Sequence, residues 1–122
     1  MSATRPEAWE VWWVRWWHED AHAPEDDPSK QRFALCLGDL SGLGKPDRFV
    51  FCKISSEDHA FPRVEMDPAF PGFDQTGLKE KSYVYVRDVK EMESADAIWW
   101  AGTIDLGHVE AVRRVVRDAM LR

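Results

Sequence analysis

Residues 29–39 read SKQRFALCLGD and put one permanent cation, Arg32, at the mouth of an apolar run, Phe33 to Leu37. A guanidinium carries a planar fork of donors that matches phosphate and carboxylate oxygens. Held rigidly at a cleft, it stabilises negative charge. As an ordinary boundary residue it is solvated, or paired with an acid such as Asp39 or Glu25. The choice depends on what else converges there. His18, His22, His59 and His108 are scattered without ligand spacing, so no metal site is expected. Cys36 and Cys52 lie inside apolar runs, where buried free thiols are common; nothing demands a disulfide.

The elements that must position Arg32 begin with AWEVWWVRWW, residues 8–17. Trp9, Trp12, Trp13, Trp16 and Trp17 fall at i, i+3, i+4, i+7 and i+8, a helical stripe, and Thr4 with Glu7 resembles a capping box. The run is nevertheless almost wholly β-branched or aromatic, which favours a strand. As a strand it sets Trp12, Val14 and Trp16 on one face and Val11, Trp13 and Trp17 on the other, both at least partly covered. Residues 18–30, with two prolines and five acids, read as a long mobile loop. Strands are expected over 33–37, 48–54 and 63–67, with a turn-rich connection over 39–47. Residues 68–81 read as loop. Residues 82–89 read as a strand with Tyr83 and Tyr85 on one face and Val84 and Val86 on the other. A turn or short helix over 91–97 and a last strand over 98–104 follow. Val109, Val112, Val116, Ala119 and Met120 then recur at helical spacing, with Arg113, Arg114 and Arg117 elsewhere around the helix. Asp105 is the expected N-cap of this helix, over about 106–121. Five or six short strands and one terminal helix imply a mainly β chain closed into a small barrel.

The 122 residues and 14.1 kDa suit one domain, residues 1–122, and 44% hydrophobic content supplies a core. No stretch approaches the ~18 apolar residues of a membrane span. The segment MSATRPEAWE does not read as a secretory signal, so a cytoplasmic location is expected. The net charge of −6 argues against broad binding to duplex DNA and leaves room for a small basic cleft.

The order of short motifs carries a resemblance. A strand with WEVWWV, a long loop, K-x-R-F-A-L-C-L, F-C-K-I-S-S, G-L-K-E-K-S-Y-V-Y-V, and W-A-G-T-I before a helix resemble the PemK/MazF family of toxin components, from about Trp9 to Met120. The resemblance implies an SH3-like barrel with a terminal helix, usually a homodimer. It implies a metal-independent endoribonuclease that needs no cofactor, cuts single-stranded RNA, and is restrained by a cognate antitoxin. A relative on the same fold poisons DNA gyrase, so fold alone does not fix the chemistry. The family's arginine at the start of its second strand corresponds to Arg32, with Phe33 where a proline is usual. Its threonine or serine at the end of the next strand corresponds to Ser55, or to Ser56 if that strand runs one residue longer. Gly77-Leu78 to Ser82 match the lead-in to a central strand, and the usual glycine before the first strand is replaced by Glu7-Ala8-Trp9.

The implied chemistry is attack of an RNA 2′-hydroxyl on the adjacent phosphorus, giving a 2′,3′-cyclic phosphate and a free 5′-hydroxyl. Arg32 suits the charge of the transition state, and loss of such a donor typically costs roughly 3–4 kcal/mol, on the order of 100- to 1000-fold in rate. Ser55 suits a hydrogen bond to the same phosphate. Lys30, Lys53, Ser56 and Trp17 are the expected substrate contacts, Trp17 by stacking on a base. A guanidinium is a poor base, so another group must take the proton; His59 is a candidate by residue type, and otherwise a solvated loop residue. The bland alternative for Ser55 is a strand-end hydroxyl bonded to its own backbone. Two other functions compete: a non-catalytic binding module on the same barrel, favoured by the acidic balance and Phe33, and an adaptor that uses the tryptophan run as its surface.

Overall fold

The computed structural model describes residues 5–16 and 31–120. The expected acidic loop 18–30, with Lys30 in it, and Trp17 lie outside the described residues.

Among the described residues, six antiparallel strands form one sheet: β1 (Glu10–Arg15), β2 (Gln31–Asp39), β3 (Arg48–Ser55), β4 (Arg63–Met66), β5 (Ser82–Glu93) and β6 (Ala97–Thr103). The order across the sheet is β4-β5-β3-β2-β1-β6. The one α-helix among the described residues, α1 (Leu106–Met120), packs on β4 and β5. The mainly β architecture with a C-terminal helix is as expected. The strand ladder, however, is open between β4 and β6, and the helix covers its β4–β5 side. Helix α1 starts where the hydropathy period changes: the Asp105 carboxylate accepts the backbone N–H of His108 at 2.9 Å, as an N-cap should.

The tryptophan run forms a strand because both its faces are needed. Trp12, Val14 and Trp16 bury with Ala34, Cys36, Phe49, Phe51 and Met92 in one cluster. Val11 joins Leu35, Ile54, Val64, Val84, Val86, Val109 and Val112 in a second cluster, between sheet and helix. Val84 and Val86 point into that core, whereas Tyr83 and Tyr85 share the opposite face, their rings 6.3 Å apart. Fully burying each large apolar side chain contributes about 1.5–3 kcal/mol.

Several boundaries differ from expectation, those of β2 and β5 by more than one residue. β2 runs over Gln31–Asp39, not 33–37, because ladder pairing with β1 continues through Arg32 and Gln31. Arg32 is therefore inside a strand and not at its mouth. β5 extends to Glu93 through residues expected as a turn, since Met92 pairs with Phe49 and is fully buried; only Ser94–Asp96 turn, as one 3-10 turn. Within the expected loop 68–81, Asp74–Thr76 also form a 3-10 turn.

That turn fixes the lead-in to β5. Gly77 has φ +77°, and a Cβ there would collide with the Ala101 carbonyl; one at Gly102 would collide with the Gln75 carbonyl. Glycine at both positions lets the 74–77 backbone lie directly against β6. β6 is an edge strand, and its Ile98, Trp99 and Trp100 are 41–47% exposed.

Candidate functional site

Arg32 and Ser55 meet across β2 and β3. The register pairs Ala34 with Lys53 and Leu35 with Cys52. Continued by two residues, it sets Arg32 opposite Ser55 on one face of the sheet. Both side chains line a single open cavity of about 370 Å³, with Ser56 and Glu57 from the β3–β4 loop, Leu78, Lys79 and Glu80 from the lead-in to β5, and Ser82 at its start. Trp13, Gln31 and Phe33 form its other wall.

Arg32 has no carboxylate within ion-pair distance among the described residues, and its Nε is buried without a hydrogen-bond partner. The bland pairing with Asp39 is not made. Asp39 lies at the far end of β2, where Ser41 donates to its carboxylate from hydroxyl and backbone at 2.7 and 3.1 Å. Those bonds hold the Asp39 carboxyl below its ordinary range. A buried donor without an acceptor is rare and costs roughly 1–3 kcal/mol, so Arg32 sits in a position better suited to a ligand than to the empty protein.

Packing explains why Arg32 is held in place. Phe33 meets Trp13 edge-on at 4.8 Å and Trp99 at 5.7 Å, and Trp13 stacks on Trp99 at 5.9 Å. The Trp13 indole also donates to Gln31 Oε1 at 2.9 Å. Phe33 thus anchors one flank of Arg32 and Gln31 the other.

Ser55 does make the local bond expected of a strand-end hydroxyl: its Oγ accepts the Glu57 backbone N–H at 3.1 Å. That contact uses an oxygen lone pair and leaves the hydroxyl proton for another acceptor. Glu57 also accepts the Tyr85 hydroxyl on its backbone carbonyl and contacts His59 Nε2 through its carboxylate at 3.0 Å. The loop is held by these bonds at the edge of the cavity.

The structure separates the remaining sequence candidates. Ser56 lines the Arg32–Ser55 cavity. Lys53 does not; it lines the neighbouring hollow and lies 3.8 Å from Asp88. His59 lines that neighbouring hollow as well. Trp17 and Lys30 lie outside the described residues. Sequence reasoning missed Lys79, Glu80 and Ser82, because Gly77 to Ser82 read only as structure. The charged K-E-K triplet inside that segment is the signal that marks it. The cavity therefore offers two cations, Arg32 and Lys79, and two carboxylates, Glu57 and Glu80.

No protein-family model and no curated protein matches the sequence. The fold is similar to several solved structures. The Mycobacterium tuberculosis toxin MazF-mt6 aligns with TM-score 0.66 at 13% identity, over 91% of this chain and 95% of that one. An endoribonuclease in complex with its cognate antitoxin from a mycobacterial species aligns with TM-score 0.65 at 11% identity, over 94% of each chain. A MazE-MazF structure from Deinococcus radiodurans aligns with TM-score 0.64 at 14% identity, over 95% of each. At these identities the likeness is one of fold.

Proposed function

We propose that the chain is an endoribonuclease that cuts single-stranded RNA by 2′-hydroxyl attack, without a metal ion. We further propose that it is the toxin of a type II toxin-antitoxin pair, acts in the cytoplasm, and is held by a cognate antitoxin protein. One observation carries the reading: an arginine with a buried, unpartnered Nε shares an open cavity with a serine whose hydroxyl proton is free. The likeness of the whole fold to solved MazF and endoribonuclease structures supports it.

The scissile phosphate sits between Arg32 and Ser55. The 2′-oxygen forms a bond to phosphorus as the bond to the 5′-oxygen breaks. Arg32 donates to the non-bridging oxygens, whose charge rises in the transition state. Ser55 donates its proton into a hydrogen bond with the same phosphate. Glu57 and Glu80 line the cavity, and their carboxylates are the acceptors nearest to hand for the 2′-hydroxyl proton, that of Glu57 already touching His59 Nε2. The leaving oxygen takes a proton from water, to which the cavity is open.

The chain acts as a homodimer in this reading, and the exposed apolar edge at Ile98 to Trp100 supports self-association. Light scattering should give about twice 14.1 kDa.

The test is incubation of purified protein with single-stranded RNA in EDTA, wild type beside Arg32→Ala. Cleavage that survives chelation, leaves cyclic-phosphate ends and falls about 100- to 1000-fold in Arg32→Ala supports the enzyme. RNA left intact by the wild type moves the assignment to a binding module.

A further inference from the structure

We propose that the hollow next to the Arg32–Ser55 cavity is a second nucleotide subsite, holding the base and phosphate of a neighbouring nucleotide of bound single-stranded RNA. The inference builds on the nuclease reading for the kind of strand bound; its walls and charges stand on their own geometry.

The hollow has a volume of about 420 Å³ and is lined by Lys53, His59, Phe61, Tyr85, Arg87 and Asp88, with Pro62 at its edge. A break in the β3–β5 register builds it. Cys52 pairs with Val89, but the next residue, Lys53, pairs with Tyr85. Val86, Arg87 and Asp88 thus have no partner on β3. Val86 turns into the core, and Arg87 and Asp88 are pushed out beside Lys53. Bulges of this kind re-aim side chains beside functional sites.

Three rings form the wall. His59 lies 5.9 Å from Tyr85 and 6.1 Å from Phe61, centroid to centroid. The wall is fixed by bonds from the loop: Tyr85 donates its hydroxyl to the Glu57 carbonyl and accepts the His59 backbone N–H at 2.8 Å. Phe61 is nonetheless 64% exposed. A large ring displayed to solvent beside two other rings, with cations at hand, is the composition that stacks nucleobases.

The charges select a phosphate. Arg87 has no ion-pair partner among the described residues, and Lys53 is 3.8 Å from Asp88, a loose pair. Two cations face one carboxylate, Asp88, among the residues that line the hollow. On a chain of net charge −6 this locally positive hollow runs against the overall field. Its position fits a continuous strand. Lys53 and Ser55 are two residues apart on one face of β3, hence about 7 Å, on the scale of one nucleotide step in an extended chain.

The experiment is fluorescence anisotropy with a labelled, random-sequence single-stranded RNA of roughly 12 nucleotides, 2′-O-methylated throughout so that it cannot be cut. Wild type, Phe61→Ala, Phe61→Tyr and Arg87→Ala are titrated over a range of salt. Phe61→Ala should weaken binding roughly 5- to 100-fold, with Phe61→Tyr near wild type, which separates stacking from folding. Arg87→Ala should weaken binding and reduce the slope of log Kd against log salt by about 0.7, the value for one phosphate contact on a single strand. Unchanged affinity and slope in Phe61→Ala and Arg87→Ala overturn the subsite, including where Arg32→Ala still lowers cleavage as expected, a result that leaves the nuclease reading intact. The expected binding pattern in a wild type that never cuts RNA keeps the subsite and overturns the nuclease. A wild type that does not bind the RNA overturns both.

Discussion

Residues 32–36 and 48–52 carry nearly the same string, Arg-Phe-Ala-Leu-Cys and Arg-Phe-Val-Phe-Cys, on neighbouring strands β2 and β3. Because the strands are antiparallel, the two arginines end at opposite ends of the sheet. Arg48 meets Glu93 at 3.2 Å and Glu91 at 4.0 Å, both exposed. Arg32 meets no carboxylate among the described residues and buries its Nε unpaired. The phenylalanines diverge too. Phe49 is fully buried against Met92, whereas Phe33 is only partly buried and braces the site through Trp13 and Trp99. The cysteines converge: both are buried, free, and protonated far above the ordinary range. The same residue types thus meet opposite surroundings, a paired arginine over a closed core in one place and an unpaired one beside an open cavity in the other, according to what lies across the ladder.

The largest contrast lies in the phenylalanines. Phe49→Ala should cost about 3–5 kcal/mol in urea unfolding, by leaving a cavity in a closed core. Phe33→Ala should cost less than half as much, yet lower RNA cleavage by loosening the flank of Arg32. Equal stability losses would erase the difference drawn between the two strands.

The arginines come next. Arg32→Ala should reduce cleavage about 100- to 1000-fold while its melting temperature holds or rises, since the buried Nε has no partner to lose. Arg48→Ala should leave cleavage unchanged and cost under about 1 kcal/mol, as exposed pairs do. Arg48→Ala inactivating the protein as fully as Arg32→Ala would refute the site.

Ser55→Ala should lower cleavage about 10-fold, the worth of one good hydrogen bond in the transition state. A loss as deep as that of Arg32→Ala would give Ser55 a role beyond binding the phosphate.

A last test, read only at alkaline pH, concerns what the two strings share. Burial pushes the thiols of Cys36 and Cys52 up to about 12 from an ordinary 9.0. Between those values the unfolded chain has shed protons that the folded chain keeps, so stability falls as pH rises. The slope approaches about 1.4 kcal/mol per pH unit for each thiol. Urea midpoints from pH 9 to 11 should decline less in Cys36→Ala than in wild type, and iodoacetamide should label the native protein far more slowly than the unfolded one.

Much of this arrangement is legible in the chain. The alternation of Val11 to Trp16 announces a strand covered on both sides, and the change of period after Asp105 announces the helix, because both patterns are local. The reach of β5 to Glu93 was hidden by its charged residues; Met92 between Glu91 and Glu93 is the alternating mark of a half-buried strand, and only its pairing with Phe49 makes that mark decisive. The hollow at Lys53 was hidden more deeply. It depends on a skipped register step between β3 and β5, which no spacing along either strand records.

The order of apolar and polar residues was enough to determine strands, helix and a mainly β chain, since each element buries a face set by its own periodicity. It was also enough to raise Arg32 and Ser55 as candidates through motif order. Only the folded molecule distinguished Arg32 from Arg48, because a guanidinium takes its meaning from the groups that register and loop packing bring within a few ångströms, and those groups come from distant parts of the sequence.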